Sequence, residues 1–108
     1  MKPLVWALVA AIPPVLALAA AGEDFDRAQV LAQQKGCFDC HALGYQDAGP
    51  SFAAIAERYR YDADGRQRLP YAIRGGSVGH WGERFAMWPQ RQLSDQELRL
   101  LVDWILAQ

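Results

Sequence analysis

Residues 4–21, LVWALVAAIPPVLALAAA, carry no charge, and polar positions begin abruptly at GEDFD. With Lys2 as a short positive start and Ala19 and Ala21 as a small-x-small pair, this reads as an export signal. Cleavage is expected after Ala21, leaving residues 22–108. An uncleaved anchor is the rival reading, since 18 apolar residues are near the lower limit for a bilayer span. Pro13-Pro14 in mid-segment argues against it, because proline removes helix hydrogen bonds.

Beyond residue 21 the pattern becomes helical. A first helix is expected over about 24–36, with Asp24 or Asp26 at its start and Gly36 at its end. In SFAAIAERYR, residues 51–60, Phe52, Ile55, Ala56 and Tyr59 recur at helical spacing behind Pro50. A shorter helix is expected over 66–74, closed by Gly75-Gly76. The last helix has the clearest signal. Ser94 and Glu97 form an S-x-x-E capping box, Leu93 and Leu98 can close a hydrophobic staple, and Leu98, Leu101, Val102 and Ile105 line one face with Trp104 beside them. No stretch alternates convincingly with period two. The fold class is therefore all-α, four to five short helices with one long loop over residues 75–92, GGSVGHWGERFAMWPQRQ. A loop of this length in so small a domain needs a functional reason. DADG at 62–65 is read as a turn, since the later acidic ligands of a calcium loop are missing.

Charge narrows the function. Removing residues 1–21 takes away Lys2 and no acid, leaving 10 Lys+Arg against 12 Asp+Glu, a net −2. Bases and acids are interleaved, which argues against nucleic-acid binding. A domain of 87 residues buries only about 60–65% of its unfolded surface and often relies on a disulfide, metal or cofactor.

The candidate chemistry is concentrated in CFDCH, residues 37–41, which holds both cysteines and one of two histidines. A disulfide between Cys37 and Cys40 would leave the adjacent histidine unexplained. A thioredoxin-like redox pair needs strands nearby, and none are expected. Zinc would need His41 and His80 to join the cysteines, and spacing gives that no support. Covalent haem attachment, C-x-x-C-H, uses every position. On one helical turn, positions i, i+3 and i+4 share a face. Cys37 and Cys40 can then bond the two vinyl groups, and His41 is delivered to the iron. The opposite face of the iron has few candidates. Met87, 46 residues past His41 in the unexplained loop, is favoured. His80 and an open site are the alternatives. His/Met ligation fills both axial positions and suits outer-sphere electron transfer.

The order KGCFDCH, GPSF, IRGGSVGHWG, Met87 and LSDQELRLLVDWI resembles a short bacterial class I monohaem cytochrome c over essentially all of 24–108. The resemblance implies a small fold wrapped around one covalently attached haem c and a periplasmic electron carrier. It implies that Pro50 offers its carbonyl to the His41 Nδ1–H, that Trp81 hydrogen-bonds a haem propionate, and that the first and last helices cross near Trp104. It also implies a monomer with transient redox partner proteins and no membrane span in the mature chain. Phe52, Ile55, Leu69, Ile73, Trp81 and Phe85 are the expected crevice walls, with the haem edge near the thioethers exposed. The chain departs from the pattern in ERFAMWPQ, which lacks the family's close prolines and sets Met87 one residue further from Trp81. It also departs at Ala72, where relatives often place a propionate-binding arginine; Arg74 is the candidate substitute. Two other functions are carried as alternatives: a dedicated haem subunit of a periplasmic dehydrogenase complex, and a gas- or peroxide-binding protein if Met87 is not a ligand.

Overall fold

In the computed structural model, which describes residues 3–4 and 9–108, four helices pack around one apolar core and a small hairpin closes one side. Lys2 and residues 5–8 of the apolar segment lie outside the described residues. The helices are α1 (Pro14–Gln34), α2 (Phe52–Arg60), α3 (Gly65–Gly75) and α4 (Asp95–Leu106). A single 3-10 turn, Cys37–Asp39, follows α1, and strands β1 (Ser77–Gly79) and β2 (Gly82–Met87) lie between α3 and α4.

Helix α1 starts ten residues earlier than the sequence pattern suggests. Pro13 is its N-cap and Pro14 its first residue, a position where proline's missing N–H costs nothing. The alanine-rich stretch that follows has high helix propensity and nothing to stop it. Asp24 and Asp26 therefore sit inside the helix and not at its cap. Its end agrees with expectation, since Gly36 turns the chain out with φ 77°. No α1 residue before Ala28 is buried. Among the described residues, no helix is long and apolar enough to cross a membrane.

The core forms where α1 meets α4. Ala28 and Ala32 are fully buried, and their small side chains let α4 approach closely. Trp104 fills the space beside them, in edge contact with Phe52 at a centroid distance of 4.8 Å and with Phe38 at 6.0 Å. Leu98, Leu101, Val102 and Ile105 are buried on the same face of α4, as their spacing requires. Arg60 from α2 donates to the Leu106 and Gln108 carbonyls and so caps the end of α4.

The start of α4 is a complete capping box. Glu97 N–H donates to Ser94 Oγ at 3.1 Å, and Ser94 N–H donates to Glu97 Oε1 at 2.9 Å. That second bond, helped by Lys35 at 3.5 Å, holds the Glu97 carboxyl below its ordinary pKa. A depressed carboxyl adds stability that is full above its unfolded pKa and is lost as pH falls through the folded value. Ser94→Ala should cost about 1 kcal/mol in denaturant unfolding near neutral pH. Most of that loss should persist in acid, because the backbone N–H that lowers the Glu97 pKa is kept by alanine.

The hairpin corrects the expectation of a structureless loop over 75–92. Strands β1 and β2 pair antiparallel, Ser77 opposite Met87 and Val78 opposite Ala86, before the register breaks between Val78 and Gly79. Phe85 and Met87 are half-buried on the inner face, while Arg84, Ala86 and Trp88 are exposed. The alternation is real, but RFAMW is apolar on both faces from Phe85 onward, so period two leaves no contrast in the sequence. At the base, Gly76 has φ 75°, and a Cβ there would stand 2.6 Å from the Met87 carbonyl oxygen. Only glycine allows β1 to begin this close to the end of β2.

Candidate haem crevice

The turn after α1 is built to present its side chains together. Cys40 N–H and His41 N–H both return to the Cys37 carbonyl, at 3.3 and 3.0 Å. Cys37, Cys40 and His41 consequently line one cavity. The two cysteines are free thiols, which removes the stapling disulfide from the structure as it stands. Burial pushes the Cys37 thiol pKa up, against the lowering effect of a backbone hydrogen bond, and Asp39 raises it further. Among the described residues no three His, Cys, Asp or Glu side chains converge as a metal cage.

His41 is held from behind. Its Nδ1 lies 2.6 Å from the Pro50 carbonyl oxygen. A carbonyl only accepts, so Nδ1 must carry the hydrogen, and the Nε2 lone pair is left free to bind a metal. The ring also packs against Phe52 at 5.2 Å. Gly49 makes this placement possible. A Cβ there would lie 2.6 Å from Cε1 and 2.9 Å from Nδ1 of the imidazole. Gly49 was missed in the sequence because its contribution is the absence of a side chain; its only signal was the GP pair in which it stands.

The remaining predicted residues meet in the same cavity. Met87 and Trp81 line it, as do all the expected wall residues, Phe52, Ile55, Leu69, Ile73 and Phe85. Ala72 lines it too, which leaves the helical position before Ile73 without a cation there. Arg74 does not take over. It donates to the Leu93 carbonyl at 3.0 Å and pairs with Asp95 at 2.8 Å, tying α3 to the start of α4. The cation stacked on Trp81 is Arg58 of α2, with Cζ 4.6 Å from the indole centroid. His80 borders the cavity from the hairpin turn, and it is exposed.

Comparisons agree with this geometry. The Cytochrome c family model matches residues 25–108. Cytochrome c-551 of Pseudomonas aeruginosa is 33% identical over 108 residues, 100% of this chain and 99% of that protein. Cytochrome c-551 of Allochromatium vinosum is 38% identical over 78 residues, 72% of this chain and 82% of that one. The crystal structure of wild-type Nitrosomonas europaea cytochrome c552 superposes with a TM-score of 0.67 at 36% identity, covering 72% of this chain and 95% of that chain.

Such proteins transfer electrons by means of one covalently attached haem c. The residues of this cavity fit that group. Two thiols on one turn, an imidazole with a free Nε2 and a thioether on the inner face of the hairpin are the donors its attachment and ligation require. The walls around them are apolar and aromatic. The buried Trp104 Nε1–H has no hydrogen-bond partner among the described residues, as in a wall not satisfied by protein atoms alone. By the match over 25–108, the shared fold and this donor set, the chain belongs to the cytochrome c family.

Proposed function

We propose that this protein is a periplasmic single-electron carrier, and not an enzyme, with His41 and Met87 as the axial ligands of its haem. Cys37 and Cys40 hold the group by two thioethers, and the iron supplies reversible one-electron chemistry when bound. Pro50 fixes the tautomer and direction of His41 and raises its basicity as a ligand. Met87 offers a thioether sulfur, which favours the ferrous state. Phe52, Ile55, Leu69, Ile73 and Phe85 exclude water and raise the cost of the more highly charged ferric state. Trp81 offers its indole N–H to a propionate. Residues 1–21 are a cleaved export signal, and residues 22–108 work as a monomer that meets redox partners in brief, small contacts of under about 1,200 Å².

The observation that supports this reading best is one cavity lined by the free cysteine pair, the carbonyl-held imidazole and Met87. Visible spectra of the purified protein test it. The oxidised form should show the weak far-red band of an Fe–S(Met) bond, and the reduced form should be low-spin and inert to CO. A missing far-red band with rapid CO binding would refute His/Met ligation. N-terminal sequencing of protein from the periplasmic fraction should begin at Gly22.

A further inference from the structure

We propose that Arg58 is a positioning residue that latches the tip of the β1–β2 hairpin to α2 and so keeps Met87 on the iron. The inference rests on the reading of Met87 as a ligand. The hairpin backbone pairs mainly with itself, and its packing on the helical core comes from side chains such as Trp81 and Met87. A lone two-stranded hairpin is marginal in water, so what ties it down decides how often it lifts. Its base is held where Gln90 N–H donates to the Ile73 carbonyl at 3.1 Å. Its tip, His80 and Trp81, is held by Arg58. The guanidinium Nη1 donates to the His80 carbonyl at 2.6 Å. The same group lies over the Trp81 indole at 4.6 Å and over the Tyr59 ring at 5.6 Å. Among the described residues, this is the only hydrogen bond from a helix to residues 77–87.

The chemistry suits arginine. Its planar cation can stack on an aromatic face and donate in its own plane at the same time, which an ammonium cannot match. Buried Tyr59 sets the angle from below, edge-on to Trp81 at 6.5 Å. Trp81 lines the cavity, so the stack presses a cavity wall inward from outside. Met87 lies at the far end of the strand that begins one residue after Trp81. Release of the tip frees that strand and, with it, the thioether.

Imidazole binding to the oxidised holoprotein reads the latch, because entry requires Met87 to leave. Arg58→Met should speed binding about tenfold, the factor expected from losing a charge-assisted hydrogen bond and a cation–π contact together. Arg58→Lys keeps the charge at the end of α2 and should restore helix stability, yet recover only part of the slow binding. Ser94→Ala, which weakens the fold at α4, should leave the rate unchanged. Three results would overturn the latch alone: an unchanged rate in Arg58→Met, full recovery in Arg58→Lys, or equal acceleration in Ser94→Ala. A wild-type protein without the far-red band would overturn Met87 ligation, and the latch with it.

Discussion

Cys37 and Cys40, both replaced by alanine, should give a chain from which acidified organic solvent removes all haem, and which is largely unfolded at room temperature. The reason is the architecture of the core. Leu101, Ile105 and Trp104 belong at once to the helix packing and to the cavity wall. Phe52, Ile55, Leu69 and Ile73 likewise face the cavity from α2 and α3. Without its occupant, this wall loses packing partners on one side, and buried apolar groups facing a void forfeit several kcal/mol between them. A domain of this size has a total stability of only about 5–10 kcal/mol, so the loss is comparable to the whole. Either single alanine variant should keep haem on the remaining thioether and stay folded with a lowered melting temperature. Haem staining on a denaturing gel and far-ultraviolet circular dichroism make the comparison. Haem that survives extraction in the double variant would refute attachment through these residues.

What the sequence made legible follows from how local each signal is. The α4 cap needs four consecutive residues, and Ser94 and Glu97 form it as written. CFDCH is equally local, and the turn that brings its side chains together is closed by hydrogen bonds within the same five residues. The end of α1 at Gly36 is local too. Its start was misjudged because the change from apolar to polar at residue 22 is not a change of backbone conformation. The helix runs unbroken from Pro14 through Gly22 to Gln34.

Long-range placement was less legible. Nothing local in the sequence singles out Arg58; its partners are 22 and 23 residues ahead, and no spacing rule joins them. Arg74 sat in the right stretch for a cavity cation but is spent on Leu93 and Asp95. In both cases the side chain's direction depends on how α2, α3 and α4 pack. The hairpin was hidden for a different reason. Trp88 is 83% exposed and Val78 76%, so the outer face reads as apolar as the inner one. That exposure is itself a departure from the usual link between hydrophobicity and burial.

Met87→Ala should give the largest functional change short of losing the haem. In the proposed ligation the thioether favours the ferrous state, and axial ligands span about 0.8 V of haem potential. Replacing sulfur by water or an open site should lower the midpoint potential by on the order of 0.1–0.2 V. The far-red band should vanish, and reduced protein should bind CO. Stability should fall less than in the double cysteine variant. Met87 is only half-buried, so the loss should sit near the low end of the ~2–5 kcal/mol typical of methionine-to-alanine changes in cores. The hairpin base should survive, because the Gly76 approach and the Gln90–Ile73 bond use backbone atoms that alanine keeps. Met87→His separates ligation from packing. It should restore a six-coordinate iron that excludes CO, while its potential stays low because imidazole does not favour Fe(II) as a thioether does. Should Met87→Ala keep both the band and the potential, the sulfur is not the ligand. His80 is then the next side chain to replace, since it borders the same cavity from the turn that Arg58 holds.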